Sequence, residues 1–164
     1  MSVDHTAWLF PSEAEAVIAE YLLALVSSEV VVRPAFTASA ITTPRISVRN
    51  TSVRPYTAAA GIVAHCETVT AITVRTGYEE DMEDAGRDNH AALVASVMGC
   101  IMQVDESTKE NALPALLNAV AGQRVLFSMA AWSGNFTSID DENRHFVTRI
   151  ELETIIGPAS EPEV

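Results

Sequence analysis

Apolar residues recur along the chain with two different periods, and the switches between them mark out the elements. Between about 12 and 28, Val17, Ile18, Tyr21, Leu22 and Leu25 return at helical spacing, while Glu13, Glu15 and Glu20 hold the other side in water; the pattern predicts an amphipathic helix. Ser12 followed by Glu15 reads as a capping box, with Pro11 just outside the start. From 41 to 54 the period drops to two. Thr43, Arg45, Ser47, Arg49 and Thr51 share one face and Ile46 and Val48 the other, as in a half-buried strand. Pro55 and Gly61 bracket a turn before a second strand, 62–76, rich in Val, Ile and Thr.

Helical spacing returns after residue 87. Leu93, Val94, Val97, Met98, Ile101 and Met102 form one stripe, which predicts a helix over about 88–102 with Asp88 at its N-cap. A shorter helix is expected over about 111–121, with Pro114 in its first turn and Gly122 as its stop. Two strands follow, 124–132 and 145–156, joined by the polar loop SGNFTSIDDEN. The tail GPASEPEV, 157–164, reads as loose. The expected order is therefore α-β-β-α-α-β-β. Its simplest solution is an α+β fold in one domain spanning 1–164, with an ordered core over about 12–156: a single, mainly antiparallel sheet with helices packed on one face.

Charge changes the picture. The net charge is −12, and residues beyond 60 hold 17 of the 22 acids against six basic groups. Such a field opposes binding to a phosphate backbone, which draws its affinity from Lys and Arg. The basic set is nine arginines and one Lys, a residue choice suited to pairing with carboxylates at subunit contacts and equally produced by genome composition. Cys66 and Cys100 fall inside a strand pattern and a helix pattern and read as small buried hydrophobes. The start of the chain lacks the basic and small-residue features of a signal peptide, and its longest apolar run, Tyr21–Val26, is far short of a membrane span. A reducing cytoplasm is the expected place of synthesis.

The candidate chemistry is concentrated between the second strand and the helix that follows it. Glu79, Glu80, Asp81, Glu83 and Asp84, with Asp88 and His90 beyond, are the kind of oxygen-rich run that could hold a hard cation. Calcium-loop spacing fails, however: counted from Asp81, Gly86 is in place, but Ala85 occupies a ligand position and Ala92 replaces the closing Glu. Five like charges in a short loop otherwise mean a solvated turn or an electrostatic contact surface. Nucleophilic chemistry finds no support. His65 and Cys66 are strand neighbours and point to opposite faces. His5, His90 and His145 lack companions at metal-ligand spacing, and no phosphate loop is present. No catalytic, cofactor-binding or metal-ligating residue is assigned, and the expectation is a protein that is not an enzyme. A small metal-dependent enzyme or ligand-binding domain using the 79–84 loop is the minority reading. Arg45 and Arg49 on one strand face could instead meet the acidic loop of a neighbouring copy, a heterologous contact that closes into a ring when the rotation permits.

An N-terminal amphipathic helix is followed by IVAHCETVTAITVRTGYEEDMED, then the helix DNHAALVASVMGCIM with His90 near its start, and the closing strand HFVTRIELETII. In this order, over about 12–156, the chain resembles the tail-terminator (tail completion) proteins of long-tailed bacteriophages. The resemblance implies a virion subunit, made in the host cytoplasm, that forms a ring, typically a hexamer, on the finished tail tube. It implies the tail tube protein and the head connector or neck proteins as partners, contact loops at 79–88 and 133–143, including Asp140 and Asp141, and a negatively lined passage through which DNA moves without specific binding. The leading MSVDHTAWLFP and the closing EPEV depart from the family layout and leave open a neighbouring head-completion or connector-adaptor role.

Overall fold

A computed structural model describes residues 6–26, 31–34, 43–55, 66–103, 117, 123–132, 138–140 and 144–158. The elements are α1 (Thr6–Leu25), β1 (Val31–Pro34), β2 (Arg45–Pro55), β3 (Cys66–Gly77), α2 (Glu83–Ile101), β4 (Gln123–Trp132), β5 (Ser138–Asp140) and β6 (His145–Pro158). They make an α+β fold around one six-stranded sheet, ordered β1-β2-β3-β6-β4, with β5 also on β6. Every pairing is antiparallel except β1 on β2. β4 and β5 lie along the same edge of β6, β5 beside its first residues and β4 beside the rest.

Both helices pack on one face of this sheet. Its centre is built from cross-strand neighbours: Ile46 opposite Val74, Val48 opposite Ile72, and Ile72 opposite Ile150. Over them lie Ala14, Ile18 and Leu22 of α1, four residues apart along one side of the helix, Val26 just past its end, and Val94, Val97 and Ile101 of α2. Each large side chain buried here contributes about 1.5–3 kcal/mol. Leu117 is helical and fully buried in the same cluster; the rest of the helix expected at 111–121 lies outside the described residues.

The structure corrects several expected boundaries. α1 begins at Thr6 and runs through Pro11 and Ser12, so Ser12 does not cap it. Glu15, expected in water, is 4% exposed and packed against the sheet, while Leu25 is exposed. α2 begins at Glu83, which puts Asp88 inside the helix, exposed; the N-cap residue is Met82, and no side chain caps the helix. Two strands were not anticipated: β1, the parallel edge, and β5, inside what reads as one long polar loop. β6 also continues through Gly157 and Pro158, expected to be loose, because Arg124 and Gln123 of β4 extend its ladder. The element order is thus α-β-β-β-α-β-β-β, with helical Leu117 between α2 and β4.

Candidate functional site

The acidic loop is short and tightly anchored. After β3 ends, Tyr78 N–H donates to the Arg144 carbonyl at 3.0 Å, a turn closes from Met82 N–H to the Glu79 carbonyl, and α2 starts at once. Arg144 accepts this bond from a left-handed backbone conformation, φ 55°. The tyrosine ring packs, tilted, on Phe146 with centroids 4.7 Å apart, and Arg87 Cζ lies over the Phe146 ring, 5.9 Å from its centroid. α2 crosses so close to Tyr78 that only glycine fits at position 86: a Cβ there would come within 2.6 Å of Tyr78 Cβ.

Glu79, Glu80, Asp81, Glu83 and Asp84 are all exposed. Glu80 pairs with Arg144 at 3.1 Å and Glu83 with Arg87 at 3.2 Å, one turn along the helix. Both pairs are solvent-facing and worth little. Glu83 and Asp84 lie in the first turn of α2, where carboxylates meet the positive end of the helix dipole. Among the described residues, no three His, Cys, Asp or Glu side chains converge on a point that could hold a metal ion.

Beneath the loop, α2 is locked to the sheet by a histidine. His90 is 1% exposed, with Nδ1 2.8 Å from the hydroxyl of Thr76 and Nε2 2.7 Å from that of Thr148. Each threonine can donate or accept, so a neutral ring is satisfied in either tautomer. Burial pushes the imidazole down to about 4, so at neutral pH it is uncharged. Its role in the fold is positional.

The second surface is the sheet face turned away from α1 and α2. Arg45 and Arg49 share it, as their spacing predicts, and they are joined there by Arg75, directly opposite Arg45, and by Arg149, opposite Thr73. Toward the other end of the same face come Glu67, Glu151 and Glu153. Arg149 pairs with Glu151 at 2.8 Å and Arg54 with Glu67 at 2.7 Å. Alternation read within β2 alone could not bring Arg75 and Arg149 to this cluster; the register of three strands does.

The two surfaces share one end of the sheet. Thr43, just before β2, and Glu79 line the same groove, of about 760 Å³, together with Tyr78, Met82 and Leu93. The acidic loop then leads to the helix layer, on the opposite side of the sheet from Arg45. Asp140 ends β5, opposite His145, and Asp141 lies outside the described residues. Of the two cysteines, Cys100 is half-buried on α2 with its thiol pushed up by burial, and the Cys66 side chain lies outside the described residues. Among the described residues, no helix is long and apolar enough to cross a membrane. No known family model matches the chain, and no curated protein matches it.

Proposed function

We propose that this protein is a structural assembly subunit, not an enzyme, which self-associates into a ring at the end of a phage tail tube and joins tail to head. The hexamer typical of the family it resembles is the proposed stoichiometry, with the tail tube protein and the head connector or neck proteins as partners and the virion as its place of action. A head-completion or connector-adaptor role in the same neck is the alternative. The observation that supports the reading is the disposition of charge: a basic cluster on one side of the sheet, and exposed carboxylates on a loop reaching to the other side. A subunit with opposite charges on surfaces that point in different directions is suited to head-to-tail contacts, which close into rings. The net charge of −12 suits a ring through which DNA passes, since negative walls do not hold phosphates.

Light scattering and negative-stain images of the purified chain test this reading, followed by its addition to growing tail tubes. Rings that arrest tube growth support tail termination. Rings that leave the tube growing but bind connectors support the alternative. A monomer with stoichiometric Ca²⁺ or Mg²⁺ binding in calorimetry overturns both.

A further inference from the structure

The groove of about 760 Å³ at the end of the sheet runs along one flank of α2. Met82, Gly86, Asn89 and Leu93 line it at steps of four, three and four residues, which is one side of a helix and a length of about 16 Å. Pro44 and Tyr78 contribute to the facing wall, and Glu79 stands at the end nearest the acidic loop.

Beyond Met82 the surface dips again. Met82, 56% exposed, and Ala85 border a second depression of about 440 Å³, lined otherwise by Glu80, Asp81, Glu83 and Asp84. Glu80 and Glu83 have arginine partners, whereas Glu79, Asp81 and Asp84 are exposed and have none among the described residues. Among the described residues, no Lys, Arg or His lines either depression. The groove is thus an apolar trough that opens onto carboxylates without counter-charges.

We infer that this trough seats an extended segment of a partner protein, with apolar side chains against Pro44, Tyr78 and Leu93 and basic side chains passing Met82 to Asp81 and Asp84. The inference rests on the assembly reading above and gives the chemistry of the partner that reading needs. Length favours a chain segment. At about 3.3 Å per residue, about five residues of extended backbone match the trough, and a compact small molecule fills one depression without reaching the other. Charge favours a basic segment, which gains ion pairs at the loop and is drawn in by the net charge of −12. The segment comes from another protein because the described residues of this chain offer none. Its arginines are held within α2 and the strands β1, β2, β3, β4 and β6, except Arg144, which is paired with Glu80. Extended peptides laid in a groove take their specificity from side-chain pockets of this kind.

The test is fluorescence anisotropy of labelled decapeptides on the full-length chain. The probe alternates two leucines with three arginines; one control has glutamates for the arginines, another serines for the leucines. Each control is expected to bind at least about tenfold more weakly than the probe. Asn89→Trp, an exposed change that fills the trough, and Glu79→Lys with Asp81→Lys, on the exposed loop, should each weaken the probe by about tenfold or more. Circular dichroism checks that both variants fold, and either one alone suffices for the test. Probe binding that ignores Asn89→Trp is attraction to the loop alone and overturns the trough, as does the absence of saturation by about 1 mM. Butylguanidinium displacing the probe at equal concentration overturns the segment in favour of a small cation. An oligomer that dissociates as the probe saturates it has a second copy in the trough, which overturns the separate partner. Rings that bind no probe overturn the trough and leave assembly standing; a monomer that binds it with the expected preferences supports the trough while the ring falls.

Discussion

The carboxylate of Glu15, on α1, accepts the backbone N–H of Asn50 where β2 bulges. The bulge between Asn50 and Ser52 interrupts the β2–β3 ladder, and Thr70 completes the arrangement by donating its hydroxyl to Asn50 Oδ1 at 2.7 Å. A charged residue thereby docks α1 on the sheet from a buried position, 4% exposed. Replacing it takes from the half-buried Asn50 amide the acceptor that ties β2 to α1. Glu15→Ala is expected to cost about 1–3 kcal/mol and Glu15→Gln, which keeps a carbonyl, less. The check is a lower urea midpoint at unchanged slope.

His90 makes stability depend on pH in a defined window. Its folded value is lowered from 6.5 to about 4 by burial, so the unfolded chain takes up the proton first as pH falls. The stabilisation is complete above pH 6.5 and is lost progressively down to about 4, by about 2 kcal/mol at pH 5 and about 3 kcal/mol at pH 4. His90→Gln keeps a polar side chain beneath the same threonines and does not titrate. Urea denaturation of both proteins from pH 7.5 to 4 should show the advantage of wild type shrinking by that amount. A constant gap would refute the assignment.

Two glycines of α2 should respond in opposite directions to alanine. At Gly86 the new methyl meets Tyr78 Cβ at 2.6 Å and Phe146 Cε2 at 3.3 Å, so the helix must lift from the sheet. The expected loss is about 1–3 kcal/mol, more than alanine's helix propensity returns. At Gly99 nothing lies within 4 Å, and alanine is expected to stabilise by about 0.5–1 kcal/mol. Thermal unfolding of the two variants decides the point, because their shifts must differ in sign.

Local periodicity made part of this legible and tertiary pairing withheld the rest. Ile46, Val48, Val94, Val97 and Ile101 are buried as their spacing predicts, because one helix side and one strand face are properties of short segments. Arg45 and Arg49 share a face for the same reason. Glu15 was misplaced because its acceptor role depends on a bulge in a strand 35 residues away. Asp88 resembles a cap only if the helix starts beside it, yet α2 begins five residues earlier, where Tyr78 is pinned to Arg144 and the chain turns at once. The cluster of Arg75 and Arg149 with Arg45 exists only in the register of β2, β3 and β6. No sequence signal joins Thr76, His90 and Thr148, since they come from three elements, β3, α2 and β6.

Salt offers a separate check on the assembly reading, because a contact made by the 79–84 loop and the Arg45 face is electrostatic. The screening length is about 10 Å at 0.1 M and about 3 Å at 1 M ionic strength, so exposed partners lose most of their attraction over that range. The oligomer is therefore expected to dissociate as sodium chloride rises from about 0.05 M to about 1 M, with the association rate falling more steeply than the dissociation rate rises. The apolar core inside each subunit gains from salting-out over the same range, so the monomer should unfold no earlier. Sedimentation velocity across a salt series, paired with thermal unfolding at each point, separates the two. An oligomer whose mass is constant, or grows, across the series would point to an apolar contact and away from the charged loop.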